Sequence, residues 1–415
     1  MVASTDIKFY AHTNTGAPQL TNVWGCLIDV LDACLVNGFG SQTVSSLISE
    51  DGVATAVFGS QHNFKQGQVV KIVGASPSVF NGEFRILSVP NTSSICFKLQ
   101  ENSTLSATGV ITCSLPPLGW EKTYSGTQKA VYRADNGLDP MFLRVDDSCS
   151  AGAPATGAKF AKITVCDAMS GIDNFDGVQM PFDAGNPDKN HTLNGSVHGW
   201  FKWYHSTLRN GSNTNFTETG VPTEGVRNWI IVGDKEFFVL LNQTNMQENL
   251  FFTYGFGKVT DLISGLDNYA LLVSNAAINT SSVVWHQIVD PISGAIKSYQ
   301  ANTFVFFDKN HAANYQQVQK YEMPLVSSTI TAINGVGHVQ YSGRDNSLES
   351  FSTLGKYIGF DIFAISQNLP CFKLPFIKSL AQLASHLQYQ EDSVSILSNR
   401  QEGNQVGYLI SLTER

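Results

Sequence analysis

The aspartates are the first residues in the chain whose types and spacing could do chemistry. Asp146 and Asp147 stand together in "DDSCS", and "GIDNFDG" supplies further carboxylates between Asp173 and Gly177. Carboxylates this close together could bind Ca²⁺ or act as an acid/base pair. Neither segment fits an EF-hand loop, because the glycine and the twelfth-position glutamate are out of place. Aspartates that follow strands are more often turn formers, so we expect neither a metal ligand nor a catalytic residue here.

An aromatic segment, "HGWFKWYH", runs from residue 198 to residue 205. Aromatic faces stack on sugars, so this segment could form a platform that binds a host-surface glycan. The candidates for that aromatic surface are Trp200, Trp203 and Tyr204. The alternative is an ordinary strand with Trp200 and Lys202 on one face and Phe201 and Trp203 on the other. We favour the strand.

The histidines and cysteines show no pattern typical of a metal site. None of the seven cysteines forms a Cys-x-x-Cys pair, and the nine histidines lack ligand spacing. Cys149 and Cys166 flank a loop and could form a disulfide, but reduced thiols that pack as small hydrophobes are the preferred interpretation. Cys26 and Cys34 are about 12 Å apart along one helix, too far for a bridge. Phosphate-binding glycine motifs are also absent from the sequence, so we predict no cofactor.

Composition limits the classes of function further. The chain has 415 residues and a net charge of −8, and only 14% of its residues are charged, compared with about 25% in average soluble domains. A lightly charged surface is typical of subunits that neighbours cover in an assembly. No run of Lys or Arg is present, so direct nucleic-acid binding is not expected. No apolar stretch is long enough to span a membrane, and the first residues lack a secretory signal pattern.

The N-terminal elements are a strand and a helix. "IKFYAH" alternates as a strand does, and "LTNVWGCLIDVLDACLVNGFG" has apolar residues at helical spacing. We predict an amphipathic helix, capped by Thr21 or Asn22 at its start and by Gly38 at its end. Its apolar stripe comprises Val23, Trp24, Leu27, Ile28, Leu31, Cys34 and Leu35.

A small β-module follows the helix. Six strand-like runs separated by turn residues occur between residues 45 and 115: "SSLISE", "VATAVF", "QVVKIVG", "EFRILSV", "SICFKL" and "TGVITCSL". Short, closely spaced antiparallel strands predict a small barrel or sandwich. Alternation places Cys113 inside. We expect the outward face to contact a neighbouring subunit through Glu83, Arg85, Cys96 and Lys98.

The rest of the chain is rich in β-branched and aromatic runs, which predict strands. The fold class is therefore mainly β, with a β-rich main domain that begins in residues 1–40, is interrupted by an inserted barrel or sandwich in residues 41–115, and continues in residues 116–415. Near the C-terminus, the segment from Leu380 to Leu387 is predicted as either a helix or an extended loop.

The order of these segments resembles a family of tailed-bacteriophage virion structural proteins. The resemblance rests on "GCLIDVLDACLVNGFG", "GQVVKIVGASPSVFNGEFRILSV", "PLGWEKTYSGTQKAVYR", "MFLRVDD", "RNWIIVGDKEFFVLLN" and "LFFTYGFGKVT", and it extends from Ile7 to roughly Leu272. It implies a structural subunit of the virion, not an enzyme. Such a subunit would be tail-, neck- or baseplate-associated and would assemble with copies of itself and with other virion proteins. The alternatives are a head-surface decoration protein and a module that binds host-surface glycans.

Overall fold

The computed structural model is mainly β. It describes residues 3–100, 104–134, 141–149, 154–177, 179–180, 201–209, 216–217, 221–244, 251–259, 269–276, 302–308, 326–333, 336–341, 363–364, 371–372, 375–382, 387–389, 393–401 and 404–412. Helical structure in these ranges comprises α1 (Cys26–Leu31), the π-helical turn Asp32–Asn37 that continues it, and the 3-10 turn Ser78–Phe80.

The strands are numbered in chain order. They are β1 (Lys8–Ala11), β2 (Phe39–Glu50), β3 (Val53–Phe58), β4 (Val69–Val73), β5 (Gly82–Asn91), β6 (Ser94–Lys98), β7 (Leu105–Ser106), β8 (Thr112–Leu115), β9 (Glu121–Gly126), β10 (Lys129–Arg133), β11 (Phe142–Asp146), β12 (Phe160–Cys166), β13 (Gln179–Met180), β14 (Phe201–Tyr204), β15 (Leu208–Arg209), β16 (Phe216–Thr217), β17 (Trp229–Gly233), β18 (Phe237–Asn242), β19 (Phe252–Val259), β20 (Tyr269–Ala276), β21 (Asn302–Asp308), β22 (Val326–Ile333), β23 (Val336–Tyr341), β24 (Phe363–Ala364), β25 (Cys371–Phe372), β26 (Ile377–Gln382), β27 (Leu387–Tyr389), β28 (Ser393–Gln401) and β29 (Asn404–Ser411).

A large antiparallel sheet forms the main body. Its strand order is β1-β17-β18-β19-β20-β14-β12-β11-β10-β9, with β13 beside β12 and β21 beside β20. Strand β1 precedes the module and β9 follows it, so the chain leaves this sheet and returns to it. Alternation buries one face of strands β11, β12 and β14 against the helix, through residues such as Val145, Ile163 and Trp203.

The module is a closed six-stranded barrel, which confirms the prediction of a small antiparallel β-structure. The strands pair in the order β3-β6-β5-β4-β8-β2, and β2 pairs with β3 to close the ring. Strand β2 is 12 residues long and shifts register along its length. Its first part pairs with β8 and its later part pairs with β3. Phe84 and Phe97 stack inside the barrel with ring centroids 4.5 Å apart, and Cys113 is buried there as expected.

The two ends of the barrel meet at the end of the helix. Phe39 and Leu115 are paired neighbours. Gly38 has a φ of 70°, and a side chain on it would come within 2.5 Å of the Leu115 carbonyl oxygen, so glycine is required there. The returning chain then donates backbone hydrogen bonds to the carbonyls of Cys34 and Leu35. This pairing satisfies helix-terminal carbonyls that would otherwise lack partners. The boundaries of the domains stay a prediction.

The predicted amphipathic helix is not confirmed. The α-helix begins at Cys26, not near Asn22, and eight of the twelve side chains from Cys26 to Asn37 are buried. The buried residues are Cys26, Leu27, Ile28, Val30, Leu31, Ala33, Cys34 and Leu35. Val23 lies before the helix and is 45% exposed. The helix has apolar residues on several sides because it packs in one continuous core with both the barrel and the large sheet.

The C-terminal part forms a four-stranded sheet in the order β26-β29-β28-β27. Residues 380–382 and 387 therefore lie in strands, and the prediction of a helix or an extended loop between Leu380 and Leu387 is wrong at these positions. Within the described ranges, no helix combines the length and apolar character needed to cross a bilayer.

Candidate functional site

Three reactive side chains from distant parts of the chain meet beneath the large sheet. They are Cys26, the first residue of α1; Asp147, just after β11; and His205, just after β14. The His205 Nε2 atom lies 3.0 Å from Asp147 Oδ1, and its Nδ1 atom lies 3.9 Å from Cys26 Sγ. All three residues are buried, and Cys26 is the most accessible at 6%. The sequence separates them by more than 50 residues at each step, so no short motif could reveal the cluster.

The His205 ring donates hydrogen bonds from both nitrogens. Its Nε2 faces the Asp147 carboxylate, and its Nδ1 lies 3.1 Å from the Thr21 carbonyl oxygen, which can only accept. Burial by itself lowers the pKa of His205, but the Asp147 carboxylate and the Cys26 side chain raise it well above its usual value. The acceptors on both sides of the ring therefore favour the protonated imidazolium.

Asp147 supplies the cap at the start of the helix. Its Oδ2 atom accepts hydrogen bonds from the backbone N–H groups of Gly25 (2.9 Å) and Leu27 (3.2 Å). These are N–H groups that a helix leaves without intrahelical partners. Neither Thr21 nor Asn22 caps the helix as the sequence predicts; Gly25 occupies the N-cap position with a φ of 90°. A carboxylate more than 100 residues away takes over the role of a local side chain.

The hydrogen bonds of the three side chains decide what this cluster can do. One ligand atom from each side chain lies within 4.8 Å of the other two, so the set has the spacing of a metal site. A metal ion needs free lone pairs, whereas the His205 nitrogens face the Asp147 carboxylate and the Thr21 carbonyl oxygen, and the second Asp147 oxygen accepts from two helix N–H groups. A nucleophilic thiol must also reach a substrate, whereas Cys26 is only 6% exposed. The cluster therefore joins the helix to the ends of β11 and β14.

The aspartates singled out by the sequence separate onto two faces. Asp146 precedes Asp147 in an extended segment, so it points away from the helix cluster. It meets Asp173 at the Arg144 guanidinium, which hydrogen-bonds both carboxylates, and Lys129 also contacts both. Burial raises the pKa of Asp173, but hydrogen bonds from Lys129 and Arg144 lower it overall. The carboxylates do come together, as ion-pair partners of two cations.

The aromatic candidates do not form a surface. Trp203 is fully buried and stacks on Tyr254 with ring centroids 5.7 Å apart, and its indole N–H donates to the Val273 carbonyl. Tyr204 is 6% exposed. Residues 201–204 form strand β14, so the strand interpretation is correct there and the platform interpretation fails for Trp203 and Tyr204. Trp200 lies outside the described residues.

The barrel residues predicted to face a neighbour divide into two groups. Arg85 is only 8% exposed, so it is not available as a contact residue on the surface of the described chain. It does point out of the barrel, but the N-terminal and C-terminal segments cover the barrel there. Glu83 is half-buried on the same side and pairs with Lys8 at 3.0 Å. Lys98 is exposed and Cys96 is half-exposed, with its sulfur 3.5 Å from Thr55 Oγ1.

Arg85 fixes the barrel to both ends of the chain. Its guanidinium donates four hydrogen bonds of 2.7–3.0 Å to backbone carbonyl oxygens. The acceptors are Ser4, Ile7, Gly67 and Leu412. Burial lowers the pKa of Arg85 to about 10, so the group stays charged at neutral pH.

A buried amide pair adds to this contact. Gln68 of the barrel and Asn14 of the N-terminal turn exchange two hydrogen bonds, of 2.9 and 3.0 Å, and Gln68 also donates to the Phe9 carbonyl. Because these polar groups are buried, each depends on its partner for the hydrogen bonds that water would otherwise supply.

The alternative of a disulfide between Cys149 and Cys166 is not realised. Both remain thiols; Cys149 is exposed and Cys166 is buried.

Comparison with known proteins identifies no family. No protein-family model matches the chain, and no match was found among curated proteins. Among solved structures, the chain is similar to the phage phi92 endosialidase at 10% sequence identity and a TM-score of 0.17, over 89% of this chain and 70% of that one. A TM-score this low carries no argument about fold or function.

Proposed function

We propose that the chain is a structural subunit of a tailed-phage virion, associated with the tail, neck or baseplate, which acts by assembling with copies of itself and with other virion proteins. The observation that carries the proposal is the resemblance in segment order: the N-terminal strand, the helix ending in "DACLVNGFG", the module with "NGEFRILSV" and the strands that follow. The low fraction of charged residues, 14%, supports a surface that neighbours cover.

The described reactive groups also support assembly over catalysis. The Cys26 thiol and the His205 imidazolium lie in the interior, and the bonds of the imidazolium go to groups of the same chain. The Asp146 carboxylate likewise binds Arg144 and Ser148. Groups held in this way stabilise the subunit and leave contact surfaces as the means of action.

The barrel offers a surface for a neighbouring subunit on strands β2, β3 and β6. We call it the free barrel face and define it by the outward residues Ile48, Val57, Cys96 and Lys98. Ile48 is 49% exposed and Val57 is 36% exposed. Apolar side chains with a polar rim are typical of contact surfaces. Arg85 and Glu83 lie on the side that docks on the rest of the chain, whereas the free barrel face stays open to a partner.

A cryo-EM map of the virion tests the proposal directly. It should contain repeated copies of the chain, with residues 39–115 in contact with a neighbouring copy or another virion protein. The assembly role of the barrel is wrong if these residues bury less than about 800 Å² in total against neighbours, which is the range of crystal contacts.

Paired substitutions test the free barrel face. The double variant Ile48→Lys and Val57→Lys should be incorporated into particles at least roughly tenfold less than wild type, because two buried charges lack partners at the contact. Val221→Lys, at an exposed valine of the main body, is the matched control and should assemble normally. Thermal unfolding of each purified subunit checks that both variants fold. Normal incorporation of a folded double variant contradicts the role of this face.

The two alternatives predict different results. A head-surface decoration protein would appear on the capsid in the same map. A host-surface glycan module would bind cells or a glycan array, but two of its three aromatic candidates, Trp203 and Tyr204, are buried. The assembly proposal places the protein in the virion, after synthesis in the host cytoplasm.

A further inference from the structure

Four basic residues lie on the face of the large sheet that points away from the helix. Three of them are lysines in a row of paired positions across strands β10, β11, β12 and β14. The row reads Lys129, Asp146, Lys162 and Lys202. Arg144 lies on the same face, two residues before Asp146. These residues form a cross-strand row with an excess of positive charge among the described side chains.

The two carboxylates in this region are already bound. Asp146 contacts Arg144 at 2.9 Å and Lys129 at 3.8 Å, and it also accepts hydrogen bonds from Ser148. Asp173 contacts the same Arg144 and Lys129. Asp146 is directly opposite Lys162 in the sheet. In the described ion pairs, however, its oxygens contact Arg144 and Lys129.

Lys162 and Lys202 are directly opposite one another on adjacent strands. Lys162 has no exposed surface and Lys202 is 1% exposed. Like charges in such a cross-strand pair repel, and the repulsion is larger away from water. The Lys202 ammonium lies 4.2 Å from the centre of the Phe160 ring, which gives it a favourable contact. The Lys162 Nζ atom is buried and has no hydrogen-bond partner in the described structure.

We propose that the Lys162 ammonium, with Lys202 opposite it, binds a small oxyanion such as phosphate, sulfate or a carboxylate. An oxyanion supplies the acceptor oxygens that three ammonium protons require, and it places a negative charge between two buried cations. Without such a partner, burial lowers the pKa of Lys162 to about 7; the Asp146 carboxylate opposes this shift and the neighbouring cations add to it. The inference concerns the interior of one subunit and is independent of the proposed assembly role.

The test uses the full chain, purified in chloride buffer free of oxyanions. Thermal unfolding is followed at pH 6.5 as phosphate, sulfate or acetate is titrated at constant ionic strength. At least one of them should raise Tm saturably, by roughly 3 °C or more. Lys162→Met keeps the chain length of the side chain and should abolish the response. Lys71→Met, at an exposed lysine of the barrel, should retain it.

Two results would overturn the proposal: no saturable response in wild type to any of the three anions, or an equal response in Lys162→Met. If Lys162→Met does not fold, anion binding to wild type decides. Saturable calorimetric heat from the anion that raises Tm supports the site when Lys71→Met gives the same heat. Absence of saturable heat from that anion rejects it. The three titrations also identify the class of oxyanion. Acetate represents a carboxylate ligand, and phosphate or sulfate represents an inorganic anion.

Discussion

Arg85 and Leu412 are 327 positions apart in the chain, and the Arg85 Nη2 group donates a hydrogen bond of 3.0 Å to the Leu412 carbonyl oxygen. The same guanidinium binds Ser4 and Ile7 near the N-terminus. One side chain of the barrel therefore joins the beginning, the inserted module and the end of the described chain. This contact explains how a barrel connected by two chain crossings is held in one position on the main sheet.

Replacement of Arg85 should destabilise the protein strongly. Arg85→Met leaves four carbonyl oxygens, three of them buried, without their donor, and we expect a loss of about 3 kcal/mol or more in the free energy of unfolding. Lys98→Met on the exposed side of the same barrel is the control and should change it by less than about 0.5 kcal/mol. Urea unfolding followed by tryptophan fluorescence measures both. Equal stability of the two variants would show that the Arg85 contacts do not form in solution.

His205 should make stability decrease as pH rises. Its pKa is raised well above its usual value in the folded protein, because attraction to Asp147 outweighs burial, whereas the unfolded value is about 6.5. Its contribution is therefore complete below pH 6.5 and is lost as pH rises through the folded pKa. We expect His205→Gln to remove this decline in urea midpoints measured between pH 6 and 9. His12→Gln is the control, since burial lowers the pKa of His12; if it removed the decline as fully, His205 would not be its origin.

Lys162 should make stability increase as pH rises, in buffer without oxyanions. Its folded pKa is about 7, below the unfolded value of about 10.4. Between these pH values the unfolded state binds one proton more than the folded state. The contribution of Lys162 to the free energy of unfolding therefore increases as pH rises from about 7 to 10. Urea unfolding of wild type and Lys162→Met across this pH range measures that contribution as the difference between their free energies of unfolding. A pH-independent difference would mean that Lys162 keeps its charge in the fold.

Leu31 tests whether the helix is buried in the free subunit. Its side chain is fully buried in the core shared by the barrel and the main sheet. Leu31→Ala should cost about 2–5 kcal/mol, while Val23→Ala, at a residue 45% exposed just before the helix, should cost less than about 0.5 kcal/mol. Denaturant unfolding gives both numbers. A loss below about 0.5 kcal/mol for Leu31→Ala would indicate a helix that docks only on a partner.

The barrel should fold by itself, at reduced stability. Residues 39–115 contain the six strands of the ring and their internal aromatic packing, and the two ends pair with each other. Expressed alone, this segment should give a cooperative melt with a β-type circular dichroism spectrum, below the Tm of the full chain because Arg85 and Gln68 lose their partners outside the segment. A product without a cooperative transition would reject the independent unit.

The barrel strands, and the direction in which their side chains point, could be predicted from the sequence. Alternating apolar residues predicted the six barrel strands, because the side-chain period of two is a property of neighbouring residues. Alternation also placed Phe84 and Ile86 inside the barrel and Arg85 outside it, as the structure has them.

Tertiary structure decided what covers each outward face. Arg85 points out of its barrel and is buried by residues near both ends of the chain, and the helix is enclosed on several sides because two other structures pack on it. Cys26, Asp147 and His205 meet only when a helix start and two strand ends come together. Burial and pairing of this kind depend on contacts between segments far apart in sequence, which local periodicity does not encode.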